Sequence, residues 1–249
     1  MLIKKFRAVG KVSNSISKRE DMPMEGTPSK IMIHPRYRKA LYRIRGTSHI
    51  WALCYLHRAD PATLQAVPRK ISSFLGKKGV FAMRSPDRPN PISLSCAKLL
   101  SARGNVLTLD SLDVIDGTPV LDIKPYSAGI DCVPSAAQPD FTGKYRLVSD
   151  PFLANTLARI VKNTCGRLNR DGAAAARLTF KYIRKSGKAP GPDCKLATNL
   201  KGDGLDALYA LFNLKPSQNC IKISGKPGDF FIRVKRKNRS FTLRYDRES

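Results

Sequence analysis

The spacing of hydrophobic and polar positions changes about midway along the chain. In the first half, short apolar runs lie close together with no helical period between them, which is typical of a mainly antiparallel sheet. No Gly-x-Gly-x-x-Gly turn follows any run, so a doubly wound nucleotide fold finds no support. We predict strands at residues 2–12, 30–33, 48–56, 79–83, 92–101, 105–110 and 120–123.

The second half has helical periods followed by further strands. Asp150 and Pro151 begin a helix, because Asp is a common N-cap and Pro suits the first turn. Asp171 caps a second helix that ends at Gly187, and a third covers 203–214. Strands follow at 220–224, 230–235 and 240–245. We therefore predict an α+β protein with a β domain at 1–135, a linker at 136–150 and a smaller α+β domain at 151–249.

The chain is strongly basic. Its 249 residues include 45 Lys and Arg against 19 Asp and Glu, which gives a net charge of +26. Residues 1–140 carry 22 basic and 11 acidic side chains, whereas 141–249 carry 23 and 8, so the smaller half has the larger excess. A solvated basic surface is the simplest interpretation, but an imbalance of this size favours a nucleic-acid partner over an anionic membrane.

Several classes of protein are disfavoured by composition. No apolar run approaches the ~18 residues of a membrane span, and Met1–Gly10 lacks the apolar core of a signal peptide. We therefore expect a cytoplasmic protein. The six cysteines are scattered without a Cys-x-x-Cys pair, so we predict no metal site and interpret Cys54 and Cys96 as buried core thiols.

Two polar, proline-rich segments are the strongest candidates for a site. Residues 79–91 contain three prolines within six positions, which fix a loop that carries Arg84, Asp87, Arg88 and Asn90. Residues 113–126 carry three aspartates around a Gly-Thr-Pro turn. Each segment suits a polar ligand, although a rigid structural turn with internal ion pairs fits the composition equally well.

These segments resemble the two signatures of the TrmO family of tRNA methyltransferases. The signatures are approximately G-V-F-A-T-R-S-P-x-R-P-N-P-I-G-x-S and D-x-x-D-G-T-P-V-x-D-I-K-P-Y. Here Met83 replaces the usual Thr, and Ser93 replaces the usual Gly. Residues 48–53 are similar to a further family segment, F-S-H-I-W-x-L, with Thr47 in place of Phe. The resemblance covers about residues 1–130.

The resemblance implies a β-barrel that binds S-adenosylmethionine and forms a homodimer. It also implies methylation of the exocyclic nitrogen of threonylcarbamoyl-adenosine, next to the anticodon of threonine tRNA. In the family the first strand enters a His-Ser-Pro turn beside the cofactor. This chain has Ser13–Ser15 there, so no cofactor contact is carried over to that turn.

Candidate residues follow from the matched motifs. Tyr126, Asp116 and Lys124 are catalytic candidates, and the sequence does not decide between Tyr126 and an aspartate as the base. The carboxylate of the modified base suits Arg84, Arg88 or Lys124. The predicted cofactor-binding residues are Arg84, Ser85, Arg88, Asn90, Pro91, Asp113, Asp116, Gly117, Thr118 and Asp122.

Basic segments with interleaved aromatic residues are candidates for RNA binding. One is the turn at 34–46, and another is the C-terminal hairpin around 236–239; a solvated connector and a packed hairpin remain alternative interpretations. His49 is interpreted as a core histidine. The predicted RNA-binding residues are Arg36, Arg38, Lys39, Lys77, Lys78, Arg233, Lys235, Arg236, Lys237 and Arg239.

The leading hypothesis is a tRNA methyltransferase dependent on S-adenosylmethionine, with the anticodon stem-loop as its target. Two rival hypotheses stay open. One is a non-catalytic RNA-binding barrel, which the departures at 13–15, Met83 and Ser93 suggest. The other is a methyltransferase that acts on another RNA position or on a small molecule.

Overall fold

A computed structural model describes residues 6–23, 25–67, 76–133, 148–225 and 229–245. The chain divides into two compact units, residues 1–137 and 138–249. Most of the predicted linker lies outside the described residues. None of the described helices has the length and hydropathy that a membrane span needs.

The N-terminal unit contains a closed six-stranded barrel with strand order β1-β2-β7-β6-β3-β8. Every pair of neighbouring strands is antiparallel, as the sequence predicts. A two-stranded hairpin of β4 and β5 lies outside the barrel. The strands are β1 Gly10–Ser13, β2 Thr27–Ile33, β3 His49–Tyr55, β4 Gln65–Ala66, β5 Lys78–Gly79, β6 Ile92–Arg103, β7 Val106–Leu112 and β8 Pro119–Pro125, and a short helix α1 spans Ala128–Asp131.

Side chains alternate between the inside and the outside of the barrel, because successive residues of a strand point to opposite faces. In β3, Ile50, Ala52 and Cys54 are fully buried, so His49 and Trp51 lie on the outer face. The interpretation of His49 as a core histidine is therefore wrong. The interior is filled by Val12, Ile31, Ile33, Ile50, Ala52, Cys54, Ala97, Leu107, Leu109, Leu112, Val114 and Val120.

The two cysteines predicted to be buried have different environments. Cys54 points into the barrel, and burial raises the pKa of its thiol to about 12. Cys96 lies on an outward position of β6 and is exposed, so that half of the prediction is wrong. Both positions belong to apolar runs, and only the strand register separates the inner face from the outer one.

A bulge in β8 decides where its charged residues point. The partner of Leu53 is Asp122 and the partner of Cys54 is Val120, so Leu121 is the extra residue. Val120 and Ile123 therefore both pack on the core. Asp122 and Lys124 lie on the outer face, beside Leu53 and Trp51 respectively.

Strand direction sorts the connections onto the two ends of the barrel. Three connections begin and end at one end of the barrel, which we call the upper rim, because β1, β3 and β7 end there; their described residues are 14–23, 25–26, 56–67, 76–91 and 113–118. The opposite end, the lower rim, comprises 34–48, 104–105 and Tyr126. Both family-like segments thus contribute to the upper rim.

Two sequence-predicted strands differ from the structure. At 79–83, only Gly79 belongs to a strand, and Val80–Ala82 form a 3-10 turn closed by a hydrogen bond from Met83 N to Val80 O. The first barrel strand begins only at Gly10, and residues 2–5 of the predicted strand lie outside the described residues. Residues 6–9 are irregular, although Val9 N donates to Val120 O.

The C-terminal unit is a layer of helices on a four-stranded sheet of order β10-β9-β11-β12. The β9–β10 pair is parallel and the others are antiparallel. Helix α3 packs on β11 and β12, and α2 and α4 pack on α3. The elements are α2 Asp150–Cys165, α3 Arg170–Ser186, β9 Lys195–Thr198, α4 Gly202–Leu211, β10 Ile221–Ile223, β11 Phe230–Arg236 and β12 Arg239–Tyr245.

The helix ends have identifiable chemical causes. The N-cap of α3 is Asn169, not the predicted Asp171, because the Asn169 side chain accepts a hydrogen bond from Gly172 N. Gly166 and Gly187 end α2 and α3 in the left-handed conformation. Together with the barrel, this unit confirms the predicted α+β class.

Candidate active site at the upper rim

Asp87 joins three parts of the upper rim. Its carboxylate accepts two hydrogen bonds from Arg19 Nη2, at 2.9 and 2.8 Å, and one from Asp60 N at 2.9 Å. Arg19 also donates to Arg58 O, and Arg58 donates in turn to Ser17 O. The 14–26 loop, the segment after β3 and the proline-rich loop are therefore held in one arrangement.

Arg88 holds the proline-rich loop from within. Its Nη2 donates to Val80 O at 2.6 Å and to Met83 O at 3.2 Å. Pro91 is buried, and its carbonyl accepts from Leu56 N at 2.7 Å, which fixes the loop to the end of β3. Arg88 and Pro91, both predicted to bind the cofactor, thus shape the loop that presents Arg84, Ser85 and Asn90.

Asn14 organises the turn between β7 and β8. Its Nδ2 donates to Val114 O at 2.9 Å, and its backbone N–H donates to Asp116 Oδ1 at 3.1 Å. Its Oδ1 accepts from Ile16 N, a local turn typical of Asn. Thr118 is buried and donates to Ile115 O, so its hydroxyl has a structural partner.

Glycine is required where the 14–26 loop crosses this turn. Gly26 has φ of +80°, and a Cβ there would lie 2.6 Å from the carbonyl carbon and oxygen of Leu112. Gly117 also has a positive φ, of +78°, at the tip of the turn. The two loops therefore approach each other more closely than side chains would permit.

The upper rim leaves several polar groups exposed. Asp113 accepts from Ser95 Oγ through one carboxylate oxygen, and Asp116 accepts from Asn14 N through one of its own. The second oxygen of each has no hydrogen-bond partner in the described part of the chain. Arg84 and Asn90 are exposed, and no described group holds the Arg84 guanidinium. These groups can pair with a carboxylate, an ammonium and hydroxyl groups on one ligand.

Lys124 and Tyr126 lie towards the other end of the same strand. Because β8 has seven residues, about 20 Å of strand separates the Asp116 turn from Tyr126. Lys124 pairs with Asp122 at 2.9 Å on the outer face. Within one chain, the three catalytic candidates are therefore not brought together.

Tyr126 belongs to an aromatic cluster on the outer face. Its ring centroid lies 5.7 Å from that of Trp51 and 6.3 Å from that of His49. Desolvation raises the pKa of the Tyr126 phenol, and nearby Cys132, Cys96 and Asp131 add to the rise. The phenol is therefore a better hydrogen-bond donor than a base at neutral pH.

The RNA-binding candidates of the barrel are divided between its two ends. Arg36, Arg38 and Lys39 lie on a 3-10 turn, Pro35–Leu41, at the lower rim. The Arg36 guanidinium stacks over the Tyr37 ring at 4.7 Å. Lys77 and Lys78 adjoin the β4–β5 hairpin at the upper rim.

The C-terminal candidates also differ in their surroundings. Arg236 donates to Asp193 Oδ2 at 2.7 Å and to Ala189 O at 2.8 Å, so internal groups hold it. Lys237, with φ of +50°, lies in the tight turn between β11 and β12. Arg233 and Lys235 point to the sheet face opposite the helices, whereas Arg239 points to the helix side, as the strand alternation requires.

Sequence reasoning missed several residues that build the site. Arg19, Arg58 and Asp60 were not singled out, because their partners lie far away in sequence. Asn14 was identifiable in principle, since Asn directly after a strand commonly forms a turn through its side chain. No cluster of three metal-binding side chains occurs among the residues the structure describes.

Fold and site together define a small closed antiparallel barrel that presents a polar ligand site on the loops of one rim. The sequence pattern of the tRNA-methyltransferase O N-terminal domain matches residues 12–132, which include all of the barrel except the first two residues of β1. A probable S-adenosyl-L-methionine-binding protein of Methanothermobacter thermautotrophicus is 40% identical over 131 residues, covering 51% of this chain and 93% of that protein. The chain belongs to the TrmO family.

An enzyme and a solved structure are also similar to this chain. The human tRNA (adenine(37)-N6)-methyltransferase is 37% identical over 112 residues, which cover 45% of this chain and 25% of that enzyme. A crystal structure of TrmO from Pseudomonas aeruginosa aligns over 96% of this chain and 94% of that one, with a TM-score of 0.46 and 18% identity.

Proposed function

We propose that this protein is a tRNA methyltransferase that uses S-adenosylmethionine and modifies the N6 nitrogen of threonylcarbamoyl-adenosine next to the anticodon of threonine tRNA. The observation that carries the proposal is the convergence of both TrmO-like segments on one barrel rim, where Arg84 and one carboxylate oxygen each of Asp113 and Asp116 are exposed without a partner among the described residues. The excess of basic side chains supports an RNA substrate. A cytoplasmic location fits a substrate of this kind.

The upper rim has the chemical groups that S-adenosylmethionine requires. Arg84 would pair with its carboxylate, because the guanidinium has no partner among the residues that the structure describes. The second carboxylate oxygen of Asp113 would accept from its ammonium or from a ribose hydroxyl. The cofactor supplies an activated methyl group when it is bound. Asn14, Arg88 and Asp87 keep these side chains in position before the ligand arrives.

The acceptor nitrogen must lose a proton during methyl transfer. We assign that proton to Asp116, whose carboxylate is exposed, rather than to Tyr126, whose raised pKa keeps the phenol protonated. Asp116→Asn should lower kcat by about a hundredfold. Asp110→Asn, on an exposed aspartate of β7 that accepts backbone hydrogen bonds, is the matched control and should retain activity.

Tyr126 and Lys124 of one chain would reach only the reaction centre at the upper rim of a second copy. The outer face of β6, β3 and β8 exposes apolar side chains, including Leu94 at 47% and Tyr55 at 44%. If two copies pack through this face about a two-fold axis perpendicular to β3, the lower rim of one barrel lies beside the upper rim of the other. This arrangement supports a homodimer with two shared sites.

Subunit mixing tests the shared site. Mixed Asp116→Asn and Tyr126→Phe subunits should restore roughly a quarter of the wild-type rate, well above the rate of either variant alone, because half of the dimers are mixed and each has one intact site. A site confined to one chain would give no recovery.

The function itself is tested by a single-turnover assay. Protein and methyl-labelled S-adenosylmethionine are mixed with tRNA from cells that lack this modification, and the RNA is digested to nucleosides. We expect label in methylated threonylcarbamoyl-adenosine and none in tRNA without the threonylcarbamoyl group. Label in another nucleoside would overturn the assignment of threonylcarbamoyl-adenosine as the substrate. Absence of label, with both ligands bound, would favour an RNA-binding protein without turnover.

A further inference from the structure

One face of the C-terminal sheet is not covered by the helices. In β11, Phe230, Ile232 and Val234 are buried, so the alternating residues point away from the helix layer. In β12, Phe241 contacts the helix residue Tyr182, with ring centroids 5.7 Å apart, which sets the register of that strand. The open face, as defined by this alternation and the pairing of the strands, comprises Lys195, Ala197, Lys222, Phe231, Arg233, Lys235, Ser240, Thr242 and Arg244.

The charge of this face has a single sign. It carries five basic side chains, and strands β9 to β12 contain no Asp or Glu. The aspartates of this unit that lie in secondary structure belong to the helices, as Asp150, Asp171, Asp203 and Asp206. Opposite charges are therefore separated between the two layers.

Like charges lie side by side on the open face without a neutralising group. Lys235 is directly opposite Lys195 on the neighbouring strand, where Cβ atoms lie about 5 Å apart. Arg233, two residues along the same strand, bonds only the hydroxyl of Thr242, at 3.3 Å, among the described residues. Such pairs destabilise a sheet unless an anion bridges them.

An aromatic ring lies beside these cations. Phe231 is partly exposed on the open face, and its partner on β12 is Arg244. Gly225 meets one edge of the ring: a Cβ there would lie 2.8 Å from Phe231 Cε1, so a larger residue would crowd the ring. An aromatic ring next to a row of cations is the arrangement that binds unstacked bases and their phosphates.

We propose that the open face of the β10-β9-β11-β12 sheet binds single-stranded RNA, with Lys195, Arg233 and Lys235 contacting phosphates and Phe231 stacking on a base. The choice of RNA among polyanions rests on the proposed function. A membrane surface fits less well, because Phe231 is the only large apolar side chain on this face. The face includes three basic residues, Lys195, Lys222 and Arg244, that the sequence pattern did not single out.

The test uses the full-length protein and a fluorescent single-stranded RNA, with binding followed by anisotropy across a salt series. Lys195→Gln, Arg233→Gln and Lys235→Gln together should weaken binding roughly tenfold or more at 0.15 M salt, and the slope of log K against log salt should fall by about 2. Phe231→Leu should weaken binding about fivefold and leave the slope unchanged.

The matched control removes three exposed cations from the helix layer, through Arg159→Gln, Lys162→Gln and Lys185→Gln. It has the same net charge as the strand variant and should retain the wild-type salt slope. Thermal unfolding of each variant checks that the fold is intact. An equal loss of affinity in both triple variants would overturn the proposal, as would preferential binding of vesicles with anionic lipid over RNA.

Methyl transfer, measured on the same variants, separates this proposal from the proposed function. If the wild type transfers no methyl group but the strand variant still loses RNA affinity, RNA binding by the open face is supported and the proposed enzymatic function is rejected. If methyl transfer occurs and the strand variant keeps the wild-type affinity and KM for tRNA, RNA binding by the open face is rejected and the proposed enzymatic function is supported.

Discussion

Charged side chains have different surroundings in the barrel and in the C-terminal sheet. The barrel is closed, its interior is apolar, and Arg19, Arg58 and Arg88 of its upper rim are held by Asp87 or by backbone carbonyls. The described helices of the C-terminal unit cover one side of its sheet, and the cations of the open face have no carboxylate partner among the described residues. A rim whose loops are fixed by internal hydrogen bonds is preorganised for a small ligand, whereas an open face of unpaired cations suits a flexible polyanion.

The largest effect is expected where the two rim loops touch. Gly26→Ala would require both a positive φ and a displaced Leu112 carbonyl, so it should cost at least about 3 kcal/mol of stability and abolish cofactor binding. Denaturant unfolding measures the loss. Gly104→Ala, with φ of +60° but no atom within 4 Å of its added Cβ, is the control and should cost only about 1 kcal/mol. Equal losses would mean that the contact with Leu112 has no effect.

The next effect concerns the C-terminal sheet alone. The buried Thr198 hydroxyl donates to Phe231 O at 2.7 Å and accepts from Leu200 N at 3.1 Å. Thr198→Val should therefore cost about 1–2 kcal/mol and weaken RNA binding, with no change in cofactor affinity. Calorimetric titration with S-adenosylmethionine checks the second part. Reduced cofactor affinity in this variant would contradict the assignment of the two ligands to two structures.

A smaller effect is expected from the connection through Asp87. Asp87→Asn should weaken cofactor binding about tenfold, or 1.4 kcal/mol, because the proline-rich loop loses part of its attachment to Arg19 and Asp60. Stability should fall by only about 1 kcal/mol, since the ion pair is partly exposed. Titration calorimetry and urea unfolding measure the two quantities. Unchanged cofactor affinity would show that the loop needs no such attachment.

The smallest effect depends on pH. The Thr63 hydroxyl and Ala62 N–H lower the pKa of Asp60, so the carboxylate stabilises the fold above its unfolded pKa, and this contribution is lost as pH falls through the folded pKa. Thr63→Val should therefore be slightly less stable than wild type at pH 7. The difference should disappear in acid, as unfolding curves from pH 7 to pH 2 would show. A difference that persists at the lowest pH would assign the effect to packing instead.

The correct predictions of strands and helix ends rest on the pattern of hydrophobic residues and on local turn chemistry. Most barrel strands were predictable from short apolar runs with few helical signals, and Gly187 marked the end of α3 correctly. Strand β9 was missed, because Lys195–Thr198 has four residues and is recognisable only through its pairing with β10 and β11. The strand predicted at 79–83 was wrong because the local hydrogen bond to Val80 and the Arg88 contacts favour a turn.

The candidate site was predictable by motif but not by geometry. The 79–91 and 113–118 segments meet at one rim because of the strand order, which no local pattern contains. The extended strand β8 separates Tyr126 from Asp116, although the two residues are only ten positions apart in the sequence. The bulge at Leu121, which turns Asp122 and Lys124 outward, depends on pairing with β3 and leaves no signal in the sequence.

The most direct test of the account measures two affinities on two variants. Affinities for S-adenosylmethionine and for tRNA are determined for Arg84→Gln and for the triple Gln variant of Lys195, Arg233 and Lys235. We predict that Arg84→Gln loses cofactor affinity and keeps tRNA affinity, and that the triple variant does the reverse. Full cofactor affinity in Arg84→Gln, together with undiminished tRNA affinity in the triple variant, would contradict the division between rim and sheet.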